Sequence, residues 1–142
     1  MRTVRLIVNP AAGASGGLSR SSRRQRVDRE IDCFRSAIEG AGHRFELART
    51  EGPGATAALA GEAALQGVSD VIAAGGDGTI AEVASGLLAS GANHLPRLGI
   101  WPRGTANVLA RQLGCPQGAD EAARIIIEGR TRSIHPGRID QE

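Results

Sequence analysis

The chain has 142 residues, 41% hydrophobic and 23% charged, with a formal net charge of +2. That length suits one domain able to bury roughly two thirds of the surface its unfolded form exposes, and the composition excludes a disordered or membrane-spanning class. So small a charge, with only Phe34, Phe45 and Trp101 as rings for bases to stack on, argues against a nucleic-acid partner.

In chain order, Thr3 to Val8 is a β-branched run that predicts a first strand, leaving through Asn9-Pro10 into a small-residue segment that continues to Gly17. From about Ser22 to Glu39 the apolar residues Val27, Ile31, Phe34 and Ile38 are spaced by four, three and four, which predicts a helix with one buried stripe and arginines on its other faces. His43 to Thr50 reads as a second strand, and alanine-rich Gly54 to Leu65, with Pro53 near its start, as a second helix. Asp70 to Ala74 is a continuous apolar run of the kind buried on both faces of a parallel sheet, and it ends in Gly75-Gly76-Asp77-Gly78-Thr79. Ile80, Val83, Ala84, Leu87 and Leu88 then predict a helix, with Thr79 as its N-cap, Glu82 completing a capping box and Gly91 as its stop. A fourth strand at Arg97 to Trp101, a turn at Pro102 to Thr105, helices at Ala106 to Leu113 and Ala119 to Glu128, and a fifth strand at Thr131 to Ile134 complete the reading.

Strands alternating with helices through short connections predict a three-layer, doubly wound α/β domain around a mostly parallel sheet, filling residues 1–142. Ligands of such folds bind at the carboxyl ends of strands, here Asn9 to Gly17, Gly75 to Thr79 and Pro102 to Thr105. The glycines at Gly75, Gly76 and Gly78 let backbone approach a ligand closely while helix-start amides face negative charge, a phosphate cradle. All 17 residues counted as lysine or arginine are arginine, so neither a P-loop lysine nor a Schiff base is available. Gly76-x-Gly78-x-x-Ala81 also fits a dinucleotide fingerprint, but it follows the third strand rather than the first. A carboxylate beside phosphates repels them unless it meets a cation or a proton in transfer, so Asp77 suggests magnesium or a hydroxyl nucleophile, or an aspartate bonding its own loop's amides. Arg103 is placed to meet a phosphate. Arg20, Arg23, Arg24, Arg26 and Arg29 are either a solvated face or a surface steered to anionic lipid. Cys33 and Cys115 have no metal-ligand spacing and read as free buried thiols, and the amino terminus lacks a secretory signal, so the expected compartment is the cytoplasm.

Three stretches in order carry a resemblance: Leu6 to Gly13 (Leu-Ile-Val-Asn-Pro-Ala-Ala-Gly), Gly75 to Thr79 running on to Glu82-Val83, and Leu98 to Asn107 (Leu-Gly-Ile-Trp-Pro-Arg-Gly-Thr-Ala-Asn). Together they resemble the diacylglycerol kinase catalytic family, which includes bacterial lipid kinases and sphingosine kinases, with an amino-terminal domain also shared by NAD kinases. The resemblance implies ATP-dependent phosphorylation of a lipid hydroxyl with Mg²⁺. It implies nucleotide contacts from Asn9, Thr50, Gly75, Gly76, Asp77, Gly78, Thr79, Ile80, Ala81, Glu82, Gly104 and Thr105, and a catalytic role for Asp77. It further implies peripheral association with a membrane that presents the lipid, leaves a homodimer open, and leads us to expect a β-rich lipid-binding domain on the carboxyl-terminal side, outside this chain. Departures stand at Ala81, Val108 and His135, where many members have asparagine, aspartate and aspartate, which puts the metal arrangement in question. NAD-kinase-like phosphorylation of a soluble dinucleotide and a non-catalytic nucleotide-binding module are the competing expectations.

Overall fold

The computed structural model describes residues 1–11, 17 and 19–137, so Ala12 and Gly13 of the first motif, most of the segment up to Gly17 and the last five residues lie outside the described residues. Within them the elements run β1 (Thr3–Val8), α1 (Arg20–Gly40), β2 (Arg44–Arg49), α2 (Ala55–Leu65), β3 (Asp70–Gly75), α3 (Asp77–Ala89), β4 (Arg97–Pro102), α4 (Val108–Gln112) and α5 (Ala119–Glu128). The strands form one parallel sheet in the order β2-β1-β3-β4.

Why the sheet is central follows from β3, buried at every residue and therefore requiring cover on both faces. On one face Val4, Leu6 and Val8 of β1 with Ile72 and Ala74 of β3 pack against Ile31, Phe34 and Ile38 of α1 and against Ala122, Ala123 and Ile126 of α5. On the other, Ile7, Val71 and Ala73 meet Ala60, Ala63 and Ala64 of α2 and Ile80, Val83 and Leu87 of α3. This is the expected three-layer arrangement. The first layer is filled by bulk, with Phe34 stacked on Trp101 at 5.6 Å between centroids and 11° between planes. The second is made thin by small residues: a Cβ on Gly86 would overlap the Ala57 backbone, so glycine there lets α2 and α3 approach backbone to backbone.

Several expectations fail for identifiable reasons. Thr131 to Ile134 forms no strand: all four residues are exposed and only Ile134 is apolar, so the segment has no face to bury. Leu88 is exposed rather than part of the stripe, because the face of α3 turned inward centres on Val83, Gly86 and Leu87, where α2 crosses. The capping box is absent. Helix α3 begins at Asp77 with Gly76 as N-cap, and Thr79 lies in the first turn with its side chain over Gly75. The helix expected over Ala106 to Leu113 shortens to Val108–Gln112, since Asn107 adopts a left-handed conformation with φ 49°. The thiols are free but not buried, with Cys33 exposed and Cys115 half-buried. Cys33 donates to Asp120 Oδ1 at 2.6 Å, and this hydrogen bond, more than desolvation, raises its pKa; burial raises that of Cys115.

Candidate functional site

From β1 the chain moves outward to β2, and from β2 it returns past β1 to β3, so the direction of winding reverses between β1 and β3. A crevice opens outside the carboxyl ends of strands at such a reversal. Asn9 leaves β1 there and Gly75-Gly76 leave β3. The Asn9 amide donates to Ala74 O at 3.2 Å, its side-chain Nδ2 to Thr79 Oγ1 at 3.3 Å, and its Oδ1 accepts the Ala11 amide at 2.9 Å, so one residue ties the first exit to the second. Thr50, buried at the end of β2, donates its amide to Val8 O at 3.0 Å, one residue before Asn9.

The third exit closes on the same place. Arg103 N donates to Gly75 O at 2.8 Å. A Cβ on Gly104 would overlap Gly76 Cα, and one on Gly75 would overlap the Thr79 side chain, so both loops depend on glycine for their approach. Asn107 closes the turn with its side chain, its Oδ1 accepting from Gly104 N at 3.0 Å and its Nδ2 donating to Gly104 O at 2.7 Å. Its left-handed backbone suits asparagine better than most residues. The carboxylate of Asp77 then accepts the amides of Val108 at 3.1 Å and Leu109 at 3.4 Å, so the aspartate of the second loop caps the helix that follows the third. Amides are supplied by any residue, and Val108 keeps this contact although it replaces the expected aspartate. Asp77 thus bonds amides, as one reading of the sequence allowed, but those of α4 rather than of its own loop.

The structure therefore gathers Asn9, Gly75, Gly76, Asp77, Thr79 and Gly104 around one crevice, with Thr50 beside it. Gly78, Ala81 and Glu82 are exposed along the first turns of α3, and Thr105 is exposed in the third loop. Ile80 turns its side chain into the core and its amide to Gly76 O at 3.1 Å. Arg103 does not point freely into the crevice: its guanidinium lies 4.7 Å over the Trp101 ring and pairs with Glu30 of α1. Asn107 and the Val108 and Leu109 amides were missed as site residues, since a cap reaching across 31 residues leaves no local spacing to read. Asn107 itself carries a signal, an asparagine three residues after a glycine in a turn.

What could this crevice hold? The N-terminus of α3 faces it, Gly76 has no side chain with which to cap the helix amides, and among the described residues a Cβ on Gly78 would meet nothing within 4 Å. Gly75 and Gly76 are explained by contacts within the chain, whereas Gly78 is not, which leaves room for an anion against exposed backbone. A cation accompanying such an anion would meet Asp77, whose two oxygens retain lone pairs beyond those used by α4. Among the described residues no group of three or more His, Cys, Asp or Glu is placed to hold a metal by itself.

The chain is 43% identical over 89 residues to a protein named probable lipid kinase YegS from Escherichia fergusonii, covering 63% of this chain and 30% of that one. It is 37% identical over 105 residues to a probable lipid kinase YegS-like protein of Chromohalobacter salexigens, covering 74% of this chain and 34% of that one. The chain thus spans about a third of these relatives' length. Among solved structures, two described as diacylglycerol kinases, one of them putative in its own description, both from Bacillus anthracis, superpose with a TM-score of 0.71 at 30% and 31% identity, covering 91% of this chain and 40% and 43% of those. The model of the diacylglycerol kinase catalytic domain matches residues 3–139, and the chain belongs to that family.

Proposed function

We propose that this domain binds ATP across the β1–β3 crevice and serves a kinase that transfers the γ-phosphate to a lipid hydroxyl, of a diacylglycerol-like substrate. The observation that carries the reading is the start of α3, where glycine as N-cap and the unfilled space at Gly78 leave backbone amides facing the crevice. In this reading the amides of Asp77 and Gly78 bind phosphate oxygens, and Asn9, Thr50, Gly104 and Thr105 shape the walls. Thr79 and the residues on to Glu82 complete the segment beneath. Mg²⁺, when bound, neutralises charge gathering on the phosphates during transfer. Asp77 is the residue to hold it, and by capping α4 at the same time it keeps the second and third loops in register.

The relatives' names as lipid kinases support the substrate class. Cytoplasmic location with peripheral membrane association belongs to the same proposal; the exposed Arg20, Arg24, Arg26 and Arg29 on the first half of α1 are suited to an anionic surface. No helix among the described residues is long and apolar enough to cross a membrane. We also propose that the lipid site lies in a β-rich domain outside this chain, so that the domain alone binds nucleotide without completing transfer.

The test is a titration of the protein with Mg-ATP, wild type beside Gly76→Val, whose side chain would press on Gly104. Saturable binding that the valine weakens supports the reading. Absence of wild-type binding at millimolar Mg-ATP sinks it.

A further inference from the structure

The first half of α1 lies far from the third loop in sequence, yet one of its carboxylates reaches that loop across 73 residues. Glu30 pairs with the guanidinium of Arg103, whose side chain is only 14% exposed, and accepts a second hydrogen bond at 3.3 Å from Arg26, exposed on the outer face of α1. The Arg103 guanidinium carbon lies 4.7 Å over the Trp101 ring, whose indole donates to Gln117 O at 2.9 Å and stacks on Phe34 of α1. Every contact of the Arg103 side chain described here thus runs toward α1 and Trp101. Its backbone runs the other way, with its amide on Gly75 O and the next residue against Gly76.

We infer that Glu30 is a positioning residue for the nucleotide crevice, acting through Arg103. Held between Glu30 and the Trp101 ring, the Arg103 side chain acts as a strut that fixes how closely Gly104 approaches Gly76 and so sets the width of the crevice above the start of α3. Losing Glu30 leaves a largely buried guanidinium without its anion, which then seeks solvent or an anion in the crevice, and the third loop moves with it. The contact explains why a partly exposed glutamate on α1 and an arginine inside the third motif belong to one device. The inference rests on the proposed nucleotide reading for its functional consequence, but the strut itself can be tested without nucleotide.

Three measurements separate these. Hydrogen exchange in nucleotide-free protein reads the strut: in Glu30→Gln the amides of Arg103, Val108 and Leu109, bonded to Gly75 O and to the Asp77 carboxylate, should exchange roughly tenfold faster, as loss of a charge-assisted hydrogen bond implies. The same amides should be unchanged in Asp28→Asn, which removes the neighbouring Asp28–Arg49 pair of α1. Trp101, the single tryptophan of the chain, reports the stacked guanidinium through its fluorescence and should change in Glu30→Gln alone. Mg-ATP titration reads the consequence. Affinity should fall roughly tenfold in Glu30→Gln and in Arg103→Ala, with no further loss in the double variant, because one acts through the other. Unchanged exchange and fluorescence in Glu30→Gln overturn the inference, as do losses that add in the double variant. If wild type does not bind Mg-ATP, the nucleotide reading fails, and exchange and fluorescence still decide the strut.

Discussion

The two ends of the sheet are both polar, and they are polar in opposite ways. At the amino ends of the strands, Asp70, whose side chain is 5% exposed, sits between Arg97 at 2.7 Å and Arg2 at 3.2 Å. Arg2 goes on to donate to the carbonyls of Ile126 and Ile127 at 3.0 and 2.9 Å, closing the end of α5 onto the sheet. Charge there is spent internally, Asp70, Arg97 and Arg2 each pairing with a group from a different element. At the carboxyl ends the same sheet offers glycines, a helix start whose N-cap has no side chain, and one carboxylate bridging two loops. In the proposed reading the difference separates stability from binding: strong side-chain pairs close one end, while backbone donors with space in front of them open the other.

Several measurements can break or sharpen this contrast. The largest effect is expected from Asp70→Ala, which strands two arginines that are themselves partly solvated and should cost about 2–3 kcal/mol of unfolding free energy in urea. Mg-ATP affinity of the folded protein should hardly change, and a large loss would show that the two ends are not independent. Gly104→Ala should do the converse. Its Cβ forces the third loop off Gly76, so Mg-ATP affinity should fall by at least about tenfold while the melting temperature moves by only a few degrees. Gly78→Ala is a finer probe, because the added carbon meets none of the described residues beyond its own turn within 4 Å and alanine favours the helix by up to about 1 kcal/mol. A more stable protein that binds Mg-ATP several-fold more weakly would assign Gly78 to ligand approach, and unaltered binding would remove that assignment. The smallest effect lies between the ends, at the α1–α5 contact of Cys33 and Asp120. Donating to the carboxylate favours the thiol, so its pKa is raised and alkylation should set in at higher pH than for an ordinary cysteine. Asp120→Asn should bring that onset back down, as rates against iodoacetamide over a pH series would reveal.

Much of the fold was legible in the sequence because its signals are local. The Val27, Ile31, Phe34 and Ile38 spacing and the unbroken Asp70 to Ala74 run each reflect the geometry of one element, and both hold in three dimensions. The expectation failed where a neighbour chooses the face. Leu88 fits the helical period yet stays in solvent because Gly86 is where α2 comes closest, and Thr131 to Ile134 has strand-like residues but nothing to cover them. The candidate site was legible in the same partial way. Gly75 to Thr79 suggests a phosphate cradle from composition alone, but its glycines look alike in sequence and divide by role only when their neighbours are known.

The sequence by itself determined the α/β class, the exits that carry glycine, asparagine and proline, and a chain whose cationic side chains are arginine without lysine, because each follows from residue type and short-range spacing. Tertiary structure alone decided that Asp77 caps α4, that Arg103 answers to Glu30 rather than facing the crevice, and that Gly78 is the glycine without an internal reason. Those are contacts between groups separated by 31 and 73 residues, and for Gly78 the open space that an added Cβ would find among the described residues, set by how the layers pack and leaving no trace in local pattern.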